Sequence, residues 1–145
     1  MKKIIIGLLI ILLSYTNSIA EGDRIVIIAN HSFPRDSLTS SQIKEIYLGK
    51  MEIIDNIRIQ SLDQKDSSPI KKDFLEKFID FSISDYKAYW IKKVFKKGRI
   101  PPTIKDSSEE IIKAIKEEKS YIGYVWEEEI KNIKDVKILF KIDNP

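Results

Sequence analysis

An α/β fold is what this sequence predicts: a three-layer α/β/α sandwich, with helices on both faces of a mainly parallel central sheet. Three observations carry the prediction. Short β-branched runs alternate with segments of helical periodicity through most of the chain. The first such run, Arg24 to Asn30, has an interior without polar residues, which suits a strand buried on both faces. Capping and stop residues also fall at the joins: Thr39, Gly49, Ser68-Pro69, Gly98 and Ser107.

The first twenty residues stand apart from this pattern. Lys2 and Lys3 precede the apolar run Ile4 to Leu13, and Ser18-Ile19-Ala20 puts small side chains at positions −3 and −1 of a cleavage site before Glu21. That is the three-part plan of a cleavable secretory signal. A membrane span is disfavoured, because ten helical residues reach only about 15 Å, roughly half the hydrocarbon core. Residues 1–20 are therefore read as the signal and 21–145 as one domain, long enough for a substantial core and too short for two. With no cysteine, the exported domain relies on burial and not on disulfides. The net charge of +3 falls by two when the leader lysines leave. A nearly balanced total argues against a nucleic-acid binder or a basic membrane-surface helix.

The elements of the mature chain follow in order. After the first strand, Pro34 ends regular structure. Thr39-Ser40-Ser41-Gln42 reads as a capping box, with Ile43, Ile46 and Tyr47 on the buried face of the helix behind it and Gly49 as its stop. Ile57 to Leu62 alternates weakly and predicts a second strand, running into the polar loop 63–68. Pro69 suits a first helical position, with Ser68 as the N-cap. Phe74, Leu75, Phe78 and Ile79 form the apolar stripe of that helix.

A third helix starts near Ser84 and carries Tyr86, Tyr89, Trp90, Val94 and Phe95. Aromatics at this spacing read as core, with a pocket lining as the alternative. Gly98 closes the helix, and Arg99-Ile100-Pro101-Pro102 is non-helical. Ser107 or Ser108 caps a fourth helix, with Glu109 and Glu110 in its first turn and Ile111, Ile112 and Ile115 on one face. Tyr121 to Val125 is a strand in which Gly123 allows close backbone approach. Trp126 to Ile133 predicts a short acidic helix, and Val136 to Phe140 the last strand.

Catalytic signatures are sparse. There is one histidine, His31, and no cysteine, so neither a Cys/His pair nor a zinc site of the usual composition can be assembled. No Gly-rich phosphate loop and no nucleophile elbow are present. The sequence is read as non-enzymatic and without a cofactor. What remains is a binding geometry at Gln64, Lys65, Asp66, Ser67 and Ser68, a polar loop between a strand and a helix start. Unpaired backbone N–H groups and the helix dipole make such a place an anion site. The plain alternative is that Ser68 only caps its helix. Arg99 is a candidate second anion contact, or else a solvated arginine.

Four stretches, in this order, resemble the periplasmic phosphate-binding proteins, the substrate-binding components of phosphate ABC transporters. They are Ile43 to Lys50, Leu62 to Pro69, Tyr89-Trp90 with Phe95 and the turn Gly98 to Pro102, and Ile122 to Val125. Members of that family have two lobes (the type II arrangement) and close on the anion between them, and this chain resembles only the second lobe. Ser68 falls where the family has its ligand serine, and Gln64 falls near its arginine. Pro69 and Ile70 replace a Gly-Thr pair. The resemblance implies an exported, periplasmic solute-binding-like protein holding phosphate or another oxyanion at this loop, in connection with an ABC permease. The alternative is a non-catalytic interaction or oligomerisation module that has lost the site and pairs with a lobe-like protein or with itself.

Overall fold

The sheet is built around a strand that is buried on both faces yet runs against its neighbours. In the computed structural model, which describes residues 24–143, Ile25–Asn30 forms β1, and every residue of it is buried. The leader predicted over residues 1–20 lies outside the described residues. Five strands pair in the order β5-β4-β6-β1-β7, where β4 is Gln60–Gln64, β5 Thr103–Lys105, β6 Tyr121–Trp126 and β7 Val136–Ile142. β4 is parallel to β5 and β6, whereas β1 is antiparallel to both β6 and β7. Four strands thus point one way and β1 alone points back. The sheet is mainly parallel as predicted.

Alternation along β1 divides the core into two layers. Ile25, Ile27 and Ala29 face a cluster with α1 (Ser40–Tyr47), α2 (Pro69–Asp73) and α3 (Ile83–Lys97). Val26 and Ile28 face α4 (Ser108–Glu117) through Ile111, Ile112 and Ile115. The Thr39 capping box forms as predicted, and Ser107 accepts the Glu110 N–H at the start of α4. α3 begins at Ile83 behind an N-cap at Ser82, just before the expected start.

Tertiary bonds then tie α1 to α3. The Tyr47 carbonyl accepts from Tyr86 Oη at 2.6 Å and Trp90 Nε1 at 3.3 Å, and the Leu48 carbonyl accepts from Tyr89 Oη at 2.6 Å. Carbonyls left over at a helix end are thereby satisfied by side chains of the next layer. Gly49, at φ +64, lies against the Trp90 ring, where an added Cβ would sit 2.5 Å from Cη2.

Several details differ from the sequence reading. The expected strand over 57–62 is two elements. Ile57–Arg58 (β3) pairs with Ile53–Ile54 (β2) as a hairpin turned by Asp55 and Asn56, both at positive φ, and β4 follows. The helix after Ser68 passes from α into a π-helical segment, Phe74–Ile79, which keeps Phe74, Leu75, Phe78 and Ile79 all buried. The acidic segment is a short 3-10 turn, Glu127–Ile130. Val94 and Phe95 are not core: Phe95 is 88 % exposed. At 100° per residue Phe95 lies about 140° round α3 from buried Trp90.

Gly123 faces α4 across the sheet, and a Cβ there would meet Ile111 Cγ2 at 2.6 Å and Ile115 Cδ1 at 3.2 Å. Gly123→Ala should therefore force α4 outward and cost about 1–3 kcal/mol, read as a lower urea midpoint with an unchanged slope.

Candidate functional site

The carboxyl end of β4 delivers one buried charge and one exposed loop. Asp63, the fourth residue of the strand, is 3 % exposed, and its carboxylate receives three donors. These are Tyr124 Oη at 2.5 Å, the Gln64 N–H at 2.8 Å and Lys71 Nζ at 3.0 Å. Lys71, from α2, is equally buried and reaches Asp66 Oδ1 at 2.8 Å as well. Asp66 takes a second ammonium, from Lys87 of α3, at 3.0 Å. The result is an alternating chain of charges, Asp63–Lys71–Asp66–Lys87, running from the core to the surface.

Burial pushes the Asp63 carboxyl up, against the downward pull of Lys71 and Tyr124. Burial also works to lower Lys71, but Asp63 and Asp66 together outweigh it and hold the ammonium above its ordinary value. The hydrogen bonds from Lys71 and Lys87 hold Asp66 below the usual carboxylate range. The aromatic wall behind this network is tight. Phe74 stacks on Tyr124 with centroids 3.9 Å apart, and Tyr47 meets both edge-on.

Of the residues singled out in the sequence, Lys65, Asp66, Ser67 and Ser68 share the exposed loop. Gln64 adjoins it but points inward, donating from Nε2 to Ser108 Oγ at 2.9 Å and to the Tyr124 carbonyl at 3.2 Å. Ser68 occupies the N-cap position, yet its hydroxyl makes no capping bond. The expectation of a hydroxyl cap is corrected there: the Lys71 N–H, the amide that such a cap would satisfy, bonds the Ser68 carbonyl instead. The Ser68 backbone alone is engaged, its N–H to the Lys65 carbonyl and its carbonyl to the Lys71 N–H.

Arg99 is elsewhere. It pairs with Glu52 at 2.5 Å, before β5 begins. Because β5 runs parallel to β4, Arg99 lies beyond the starting end of β4, roughly 15 Å of strand from the loop.

The sequence reading missed Asp63, Lys71, Lys87 and Tyr124. A signal for Lys71 was present. It sits three and four residues before Phe74 and Leu75, so it continues the apolar stripe, and a lysine there needs a buried partner.

Between α3 and β5 lies a cavity of about 290 Å³ that starts at Asp63, Asp66 and Lys71 and continues over Ile91, Phe95 and Ile104. Chemically the site can bind and orient. Among the described residues no group of three His, Asp or Glu side chains could hold a metal ion. No described helix is long and apolar enough to cross a membrane.

Comparison with known proteins places the fold. No family model and no curated protein matches the chain. Solved structures do, and their fold agrees with the resemblance read from the sequence. A putative phosphate ABC transporter substrate-binding protein from Clostridium perfringens, with bound phosphate, is 22% identical with a TM-score of 0.63. PstS from Borrelia burgdorferi is 16% identical at 0.62, and an ABC-type phosphate transport receptor from Vibrio cholerae is 15% identical at 0.61. In each case the match covers 80% of this chain and 44–46% of the other. The chain therefore spans less than half the length of these structures and has the fold of a single lobe.

Proposed function

We propose that this chain is an exported, non-catalytic, solute-binding-like lobe that holds an oxyanion, phosphate by likeness to the solved structures, weakly at the loop Lys65 to Ser68. In this reading residues 1–20 direct export to the periplasm and 21–145 form the binding lobe. One observation carries the proposal: the Ser68 hydroxyl stands at a helix start, at the carboxyl end of a parallel strand, and is not spent on capping. Ser67 beside it is exposed, and so is Lys65. The ligand would take hydrogen bonds from the two hydroxyls, with the Lys65 ammonium closing over it.

Binding is weak for a physical reason. Lys71 and Lys87 are already neutralised by Asp66, and Gln64 is locked inward where an arginine fork would grip the anion. Calorimetric titration with phosphate, with sulfate and acetate as controls, tests this. Saturable, phosphate-selective heat in the millimolar range is expected. Ser68→Ala should lower affinity roughly ten- to hundredfold, since a hydrogen bond to a charged group contributes roughly 1.5–3 kcal/mol. The same change should leave thermal stability within about 0.5 kcal/mol, because no capping bond is lost. No saturable heat up to tens of millimolar would overturn the oxyanion reading.

The consumed cations favour a second reading, in which the lobe has kept the fold and exchanged anion binding for protein contact, as a dimer or on an envelope partner. Ile70, an apolar replacement noted in the sequence, is buried in the core and cannot make such a contact, so the exposed loop is probed instead: light scattering of wild type and Ser67→Arg would then show an oligomer in the first and its loss in the second. A monomer that captures nothing from envelope extract would exclude this alternative.

A further inference from the structure

The balanced total charge conceals a strongly asymmetric face. Residues 86–105 carry seven cations, Lys87, Lys92, Lys93, Lys96, Lys97, Arg99 and Lys105, and no Asp or Glu. Lys87 and Arg99 are paired with carboxylates, and Lys93 reaches the Leu48 carbonyl at 2.5 Å and Tyr89 Oη at 3.0 Å. Lys92, Lys96 and Lys97 have no carboxylate within ion-pair distance among the described residues and are exposed. With Lys50, Lys93 and Tyr89 they line a shallow recess of about 330 Å³ that no acidic side chain enters.

Beside the lysines runs an apolar ridge. Ile91 and Phe95 are one turn apart on α3, at 56 % and 88 % exposure, and Lys92 and Lys96 are one turn apart in the adjacent stripe. Val94 and Ile104 extend the exposed apolar surface, at 41 % and 56 %, and line one cavity with Ile91 and Phe95. Exposed Phe, Ile and Val gathered on one helix and the strand beside it are more than scattered surface apolar residues.

We propose that the outer side of α3, with the turn into β5, docks on an anionic phospholipid surface. The recess of Lys50, Lys92, Lys96 and Lys97 would take headgroup phosphates, and Phe95 and Ile91 would enter the acyl boundary. Charge complementarity with a bilayer fits this pattern better than with a folded acidic protein. The free cations are all lysines, point charges on flexible stems, suited to laterally mobile headgroups and not to fixed carboxylates that an arginine fork grips. The parallel stripes also place apolar and cationic groups along one helix lying in a plane, the arrangement of interfacial helices. The apolar residues are the far wall of the cavity that begins at Asp63, Asp66 and Lys71, whereas the lysine recess shares no lining residue with that cavity.

The test is co-sedimentation of the protein recovered after export from cells expressing the full chain. Vesicles of phosphatidylcholine alone are compared with vesicles containing about a third phosphatidylglycerol, at low and high salt, and thermal melts confirm that each variant is folded. Binding to the anionic vesicles only, lost at high salt, is expected. Lys92→Glu with Lys96→Glu should lower the partition coefficient on the order of a hundredfold. Phe95→Ser should lower it about tenfold with the salt dependence retained. Equal binding to both vesicle types, no binding to either, or variants that bind like wild type would overturn the proposal. So would capture of an acidic envelope protein by wild type, lost in the same variants, with no lipid partitioning.

Discussion

Lys71→Met is expected to destabilise the protein by about 3–5 kcal/mol, because it leaves the Asp63 carboxylate buried without its counter-charge. Both side chains are 4 % exposed, so water cannot take the place of the lost ammonium. The size of the loss should depend on pH, and the sign follows from Asp63. Its folded pKa is already above the ordinary value, through burial, and removing Lys71 raises it further. A carboxyl raised in the folded state contributes stability that is full below its unfolded pKa, near 4, and is lost as pH rises through the folded value.

The variant should therefore be most impaired at neutral pH and recover part of its loss on acidification towards pH 5. Urea unfolding at several pH values measures this. Adding Asp63→Asn should restore most of the stability at neutral pH, since an amide can still accept from Tyr124 Oη and carries no charge. If Lys71→Met were equally destabilised at pH 5 and pH 7, an ionised Asp63 could not be the cause.

The same pair shows what was legible in the sequence and what was not. Local signals were sufficient wherever one short stretch determines its own structure. The Thr39 capping box, the unbroken β1 run and the isoleucine face of α4 all formed where their residues indicated. Signals failed where a distant partner decides. β5 is three residues long behind two prolines, and only its pairing with Leu62 to Gln64 makes it a strand. The β1 run indicated burial on both faces, which it has, but not strand direction, and β1 pairs antiparallel with both β6 and β7.

For the candidate site, the loop was legible and its electrostatics were not. Lys65 to Ser68 stand together at the end of β4, as strand, loop and Pro69 indicated. That Asp66 consumes two lysines, and that Gln64 turns inward to Ser108 forty-four residues on, depends on tertiary packing. For Arg99 the sequence left an anion contact and a solvated arginine both open, and it pairs with Glu52 at the surface. Its neighbourhood is fixed by the direction of β5, which the sequence did not disclose. Phe95 was misread: hydrophobic spacing along α3 was read as one buried stripe, where a wheel centred on Trp90 puts Phe95 on the far side.

Raising the pH above about 10 is expected to unfold the protein cooperatively, with Tyr47, Tyr86 and Tyr124 ionising together at the transition. All three phenols are buried, and burial pushes each well above its ordinary value of 10.0, with the Asp63 carboxylate adding to the shift. A group raised in the folded state supplies stability that is complete below the unfolded pKa and disappears as pH climbs towards the folded one. The loss thus starts near pH 10. With three protons at stake its slope is about 4 kcal/mol per pH unit, enough to exhaust an ordinary domain's stability by about pH 12.

The hydroxyls are also structural. Tyr47 donates to the Leu62 carbonyl, Tyr86 to the Tyr47 carbonyl and Tyr124 to Asp63, so ionisation breaks three bonds that join both sides of the candidate site. Absorbance at 295 nm followed alongside far-ultraviolet ellipticity should show a rise of three phenolates, out of the six tyrosines of the chain, that coincides with the loss of structure. Tyr86→Phe should reduce the slope to that of two protons. Because the chain has six tyrosines, the decisive signal is the difference between wild type and Tyr86→Phe: a difference at 295 nm that develops near pH 10 with ellipticity intact would mean that Tyr86 is accessible in the folded protein, against the packing described for it.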